Sequence, residues 1–172
     1  MDERIIIRKA KISDFQGIHN LIMQVHKLHV NDVALERAIN IGREIKRADI
    51  VVYHTAAACA SNDQGNIYLI AELENEIVGI CFSQIKEISN NKIMKNRKIL
   101  HIENICVDEN HQKKGIGKKL YKQIVQLAKE KNIDNIELMV WGFNENAIKF
   151  YKNLGMNIKN LKFEQKISSL DS

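Results

Sequence analysis

The chain has 172 residues, 45% hydrophobic and 27% charged, with a formal net charge of +5. That size fits one domain with a real core, and the composition excludes a disordered or collagen-like chain. No apolar run reaches the roughly 20 residues that a membrane helix needs, so no membrane partner is expected.

In chain order, Ile5-Ile6-Ile7-Arg8-Lys9-Ala10 reads as a first strand. Before it, Met1-Asp2-Glu3-Arg4 has no signal-peptide apolar region, which makes the cytoplasm the simplest expectation. Ser13-Asp14-Phe15-Gln16 fits a capping box, a hydroxyl followed three residues on by an amide. Ile18, Leu21, Ile22, Val25 and Leu28 then recur at helical spacing. Between residues 31 and 64, Leu35, Ala38, Ile39, Gly42, Ile45 and Ala48, then Ala56-Ala57-Ala58, predict one or two further helices. A turn cluster comes next at Asn62-Asp63-Gln64-Gly65-Asn66.

Ile67–Leu73 and Ile77–Ser83 read as the arms of a hairpin around Glu74-Asn75-Glu76. Ser89-Asn90-Asn91-Lys92 marks a polar loop, and Lys98–Val107 another strand, ending at the turn Asp108-Glu109-Asn110. Leu120, Ile124, Leu127 and Ala128 line one face of a helix. Ile136, Leu138 and Val140 alternate as a strand, and a helix is expected from Asn144 to Asn153. Gly155 suits its C-terminal cap, because glycine takes the left-handed conformation freely. A last strand or hairpin is expected over 156–167, then a frayed tail. The order gives one α/β (α+β) domain over 1–172, core about 5–167, with a mixed sheet and helices on its faces.

Gln112-Lys113-Lys114-Gly115-Ile116-Gly117-Lys118 lies between the strand and the amphipathic helix. It offers backbone N–H donors at a helix N-terminus, two glycines for close approach and neighbouring lysines, a fit for a phosphate-bearing ligand. A P-loop would need a hydroxyl residue after its lysine, and a Rossmann fingerprint a third glycine where Leu120 stands. Its bland reading is a tight turn in which glycine only supplies backbone freedom. Lys113, Lys114, Lys118, Lys119, Lys122, Lys129 and Lys131 crowd here, so a polyanionic ligand accounts for part of the positive charge. No basic patch interleaved with aromatics and no zinc-finger spacing appears, which argues against nucleic acid as the partner. Cys59, Cys81 and Cys106 have no metal-ligand spacing and read as reduced, buried small hydrophobes; no metal is expected. Cys106 lies near the loop, so a catalytic thiol is weighed against the strand's need for a small apolar side chain.

A second stretch, Asn144-Glu145-Asn146-Ala147-Ile148-Lys149-Phe150-Tyr151-Lys152-Asn153-Leu154-Gly155-Met156, supports the first. The Gln-x-x-Gly-x-Gly loop and this Asn-x-x-Ala-x-x-Phe-Tyr-x-x-Leu-Gly segment resemble those of the GNAT superfamily of acetyl-CoA-dependent N-acetyltransferases. Met156 replaces the usual final aromatic. The stretch Ile102–Glu109 also resembles what precedes the family's loop, and the resemblance is weakest over 31–64.

The resemblance implies a mixed, mostly antiparallel, twisted sheet of six to seven strands with about four helices. It also implies acetyl transfer from acetyl-CoA to an amine by direct attack in a ternary complex. Backbone groups along Ile105, Cys106 and Val107 would pair with the pantetheine arm, and amides of Gln112–Lys118 would hold the pyrophosphate. Asn144, Ala147, Phe150 and Tyr151 would complete the donor site, with Tyr151 the general acid for the departing thiolate. For the base, Glu103 stands first, in a mostly apolar strand where burial would raise its pKa and strict alternation, unless a bulge intervenes, would set it beside Ile105 and Val107; its bland reading is a salt-bridged or solvated strand residue. His101 and a relaying water are the alternatives. The amine acceptor is unspecified, a small molecule, peptide or protein; His26, His29 and Asp32 stand on the side where the family builds its acceptor site, or on a solvated helix surface. A homodimer is compatible with the family. A non-catalytic acyl-CoA sensor and an enzyme with an RNA-bound acceptor are the competing readings.

Overall fold

Apolar runs rich in isoleucine, unbroken in the central strands because both faces are covered, build five strands that hydrogen-bond into one sheet in sequence order: β1 (Ile6–Lys9), β2 (Asn66–Leu73), β3 (Glu76–Ile88), β4 (Arg97–Val107) and β5 (Asn135–Leu138). The structure, a computed structural model, describes residues 4–32, 65–88 and 96–163. The first four strands pair antiparallel and β5 joins β4 in parallel. The β2–β3 turn has positive φ at both central residues, Glu74 (51°) and Asn75 (67°), the two-residue geometry that matches strand twist.

The described residues hold three α-helices: α1 (Phe15–Asp32), α2 (Ile116–Glu130) and α3 (Glu145–Asn153). Ile18, Leu21 and Ile22 of α1 pack with Ile70, Ile80, Phe82 and Cys106. Ile116, Leu120, Ile124 and Ala128 of α2 form a separate cluster with Leu69, Ala71, Cys81, Leu100 and Ile102. These two helices thus cover opposite faces of the sheet, each through the stripe its sequence period predicts. Met1–Met139 and Val140–Ser172 are two compact units, and α3 belongs to the second.

Five strands and three α-helices are fewer than the six to seven strands and four helices expected, counted among the described residues. The helices expected between 31 and 64, Cys59, and the loop at 89–92 lie largely or wholly outside those residues. Over 156–163 there is no strand. Apolar positions there run 156, 158, 161 and 163, so the two-residue period slips midway and no single face stays apolar.

The capping box at Ser13 is also corrected. Ile12–Asp14 form a 3-10 turn that leads into α1, and the Asp14 carboxylate, not the Ser13 hydroxyl, caps it by accepting from Lys11 N–H at 2.7 Å. A carboxylate wins here because Arg8 is in reach: its two terminal nitrogens grip Asp14 at 2.7 and 2.8 Å, while its Nε donates to Glu72 at 2.7 Å.

Candidate functional site

β4 sets the geometry of the first unit's site. Leu100 and Ile102 face the α2 cluster; beyond them Ile105 and Val107 face it too, while Cys106 joins the α1 cluster. A bulge switches the parity. Phe82 pairs with Asn104 and Ser83 with Ile102, so Glu103 is the extra residue. Glu103 is therefore not on the face of Ile105 and Val107, as strict alternation would have it. The burial expected of it is absent too: its side chain is 52% exposed, 3.0 Å from the Lys86 ammonium and 3.9 Å from His101 Nε2.

The parallel pairing of β4 with β5 runs from Ile99↔Asn135 to Ile102↔Leu138 and stops at the bulge. Among the described residues, β4 continues to Val107 paired on its β3 side alone, with Gly79 opposite Val107 and Cys81 opposite Ile105. Along Glu103–Val107 the strand therefore turns an edge toward the side on which β5 has ended. Such an edge can take an extended, amide-bearing ligand as an added strand.

That edge runs directly into the glycine loop. Asp108 N–H bonds to Val78 O at 3.0 Å, and a 3-10 turn, Glu109–His111, comes after it. Lys113 (φ 60°) and Gly115 (φ 84°) both take left-handed backbone, which reverses the chain into α2. Gly115 is the N-cap, and the helix ladder begins with Lys119 N–H to Gly115 O at 3.0 Å. The N–H groups of Ile116, Gly117 and Lys118 precede that bond and point out of the helix start, beside the exposed Lys113, Lys114 and Lys118. Donor chemistry, positive charge and the partial charge of the helix end suit a diphosphate. Ile116 is buried and fixes the loop to the core, while the exposed Gln112 sends its amide toward Val107 O at 3.5 Å.

Cys106 is buried, the setting expected of a small core residue. Burial pushes its thiol up to about 12, against the weaker opposite pull of its hydrogen bond to Asn104 Oδ1 at 2.7 Å. Its neighbour Cys81 is likewise pushed up to about 12 by burial. Among the described residues no cluster of histidine, cysteine and carboxylate side chains could hold a metal, and no helix is long and apolar enough to cross a membrane.

In the second unit, Asn144 caps α3, its side-chain oxygen accepting from Ala147 N–H at 3.0 Å. That commits the oxygen to the helix and leaves the NH2 group to reach a ligand. Phe150 and Tyr151 meet edge to face at 5.1 Å. The helix ends as expected at Gly155 (φ 88°): Met156 N–H bonds to Tyr151 O at 3.1 Å and Gly155 N–H to Lys152 O at 3.0 Å. This double closure holds Tyr151 at a fixed place on the last turn.

A group that sequence reasoning missed lies just before the loop. Asp108 accepts from Gln24 Nε2 at 2.9 Å, Asn110 N–H at 3.0 Å and His111 Nδ1 at 2.7 Å. Burial would raise its carboxyl, but those hydrogen bonds together hold it below its ordinary value. Asp108 was legible as a turn residue; nothing in the spacing tied it to Gln24, 84 positions away.

Residues 35–156 match the family model of the acetyltransferase (GNAT) family. The chain belongs to the GNAT family. Within it, an uncharacterized N-acetyltransferase of Methanocaldococcus jannaschii is 32% identical over 92 residues, 54% of this chain and 39% of that relative. The chain spans 39% and 52% of the curated relatives it matches. Among solved structures, a tetramutant of the BH1408 protein from Bacillus halodurans has a TM-score of 0.75 at 28% identity, covering 94% of this chain and 99% of that one. The PaiA N-acetyltransferase from Thermoplasma acidophilum, solved in complex with coenzyme A, has a TM-score of 0.72 at 19% identity, covering 94% of each chain. At that identity it shares the GNAT fold.

Proposed function

We propose that the protein transfers the acetyl group of acetyl-CoA to a primary amine, by direct attack of the amine on the thioester. The observation that carries this reading is the β4 edge over Glu103–Val107 running into the donor-rich start of α2. An amide-bearing arm joined to a diphosphate matches that sequence of groups, and the CoA-bound Thermoplasma relative of the same fold adds support. Ile105 and Val107 would pair with the arm through their backbone, Cys106 lying between them. The N–H groups of Ile116, Gly117 and Lys118 would take the pyrophosphate, with Lys113 and Lys114 offsetting its charge. Gln112 and Gly115 hold the loop's shape. For Asn144, Ala147, Phe150 and Tyr151 of the second unit, a role toward the same donor is what the family resemblance alone implies.

An attacking amine near pKa 10 must first lose a proton. Glu103 takes it, directly or through a water. The Lys86 ammonium already lies 3.0 Å from this carboxylate, so a primary ammonium fits against it. His101, 3.9 Å from Glu103, is the alternative acceptor of that proton. As the tetrahedral adduct collapses, the carbon–sulfur bond breaks and Tyr151 gives its proton to the thiolate. Proton transfer from a phenol near 10 to a thiolate whose thiol is near 8.5 is uphill by roughly 2 kcal/mol, small beside what positioning supplies. The acceptor is a small-molecule amine or a peptide or protein amine. Release of free CoA over a panel of such amines tests the reading: one or more should be acetylated. A Glu103→Gln enzyme that kept the acidic limb of the pH–rate profile would remove Glu103 as base.

A further inference from the structure

We propose that Gln24 of α1 is a positioning residue for the acetyl-CoA loop, acting through Asp108 and the turn that delivers the chain into Gln112–Lys118. The inference rests on the acetyl-CoA reading and deepens it. Gln24 uses both ends of its amide: Nε2 donates to Asp108 Oδ2 at 2.9 Å, and Oε1 accepts from Glu109 N–H at 3.3 Å. Asp108 spends its other oxygen on Asn110 N–H and His111 Nδ1, and His111 N–H returns to Asp108 O at 2.9 Å. Asp108 N–H is anchored to Val78 of β3. The turn is thus held from the sheet on one side and from α1 on the other.

Past this turn the backbone carries two left-handed residues, Lys113 and Gly115, and then the ligand-facing N–H groups whose direction the turn sets. A loop that binds through backbone donors has no side-chain rotamer with which to correct an error of direction. Among the described side chains of α1, Gln24 is the one that hydrogen-bonds to this turn.

The bonding pattern is polarised, which gives a specific test. Gln24 must donate to an anionic Asp108 and accept from an N–H. Gln24→Glu sets two carboxylates face to face, and Asp108→Asn sets two NH2 groups against each other. Made together, Gln24→Glu with Asp108→Asn restores every pairing toward α1, because the introduced carboxylate accepts from the introduced amide with one oxygen and from Glu109 N–H with the other.

Calorimetric titration of each folded variant with acetyl-CoA reads the effect. Each single variant should bind roughly tenfold more weakly, the scale of one charge-assisted hydrogen bond. The double variant should return to within about threefold of the wild type. Gln24→Met keeps the length without the hydrogen bonds and covers the case in which a charged variant does not fold. It should show the same weakening with a melting temperature close to that of the wild type. Single variants that bind like the wild type, or a double variant no tighter than the sum of its parts, overturn the inference alone. Wild-type protein that binds no CoA thioester overturns the acetyl-transfer reading and the inference with it.

Discussion

Gly79 on β3 lies so close beneath Ile116, the first residue of α2, that a methyl group at Gly79 would sit 2.9 Å from Ile116 Cγ2. The same methyl would be 3.2 Å from Leu120 Cδ1 and 3.3 Å from Ala71 Cβ. The bare backbone at this position lets the start of α2 settle onto the sheet next to Val107, its partner in the ladder. Gly79→Ala would push on Ile116, which is stiff at its branched Cβ and fully buried. Overpacking of this kind costs about 1–3 kcal/mol, and the displaced helix start should weaken acetyl-CoA binding as well. Urea unfolding of the variant checks the first effect; a midpoint equal to that of the wild type would contradict it.

Acid should weaken the protein through Asp14. Its hydrogen bond from Arg8 outweighs burial and holds the carboxyl below its ordinary value of 3.8, with Lys11 N–H helping. A carboxyl depressed in the folded state stabilises above its unfolded pKa, and that contribution is lost as pH falls through the folded value. Asp14→Asn should therefore lose about 1–3 kcal/mol near neutral pH. The gap between variant and wild type should begin to narrow below pH about 3.8 and close only below the depressed folded value. Denaturant titrations across that range would show parallel curves if Asp14 were not the cause.

Tyr151→Phe should bind acetyl-CoA as the wild type does while turning over about 10²–10⁴-fold more slowly, the usual contribution of a proton donor. Single-turnover CoA release reads it. Unchanged turnover would take Tyr151 out of the chemistry and leave it a packing residue beside Phe150.

Much of the fold and of the local geometry around the candidate site was legible in the sequence, and the exceptions have physical causes. The glycine loop and the Asn144–Gly155 helix carry their geometry in residue types: Gly115 and Gly155 each take positive φ, and Asn144 caps as its position predicts. The five strands showed themselves as short apolar runs bounded by turn residues. The bulge did not. A one-residue insertion in the ladder leaves no mark in composition, yet it moved Glu103 off the face that simple alternation assigns it and into solvent beside Lys86. Ser13 looked like the better cap until Arg8, from a neighbouring strand, drew Asp14 into that role. Long-range partners such as Gln24 and Asp108 lie beyond any local pattern.

Cys81 and Cys106 should resist alkylation in the folded protein. With both thiols pushed up to about 12, very little thiolate exists near pH 8. Peptide mapping after iodoacetamide should find both unmodified in native buffer and modified in denaturant. Rapid native labelling of Cys106 would instead mark it as a reactive thiol.

The central claim is that the β4 edge and the N–H groups at the start of α2 together hold acetyl-CoA. Isothermal titration of the wild-type protein with acetyl-CoA measures this directly, with desulfo-CoA and 3′,5′-ADP as partial ligands. Saturable binding of one acetyl-CoA per chain is predicted, weaker for the ligand that lacks the pantetheine arm. Heats no different from dilution for every CoA thioester would contradict the account.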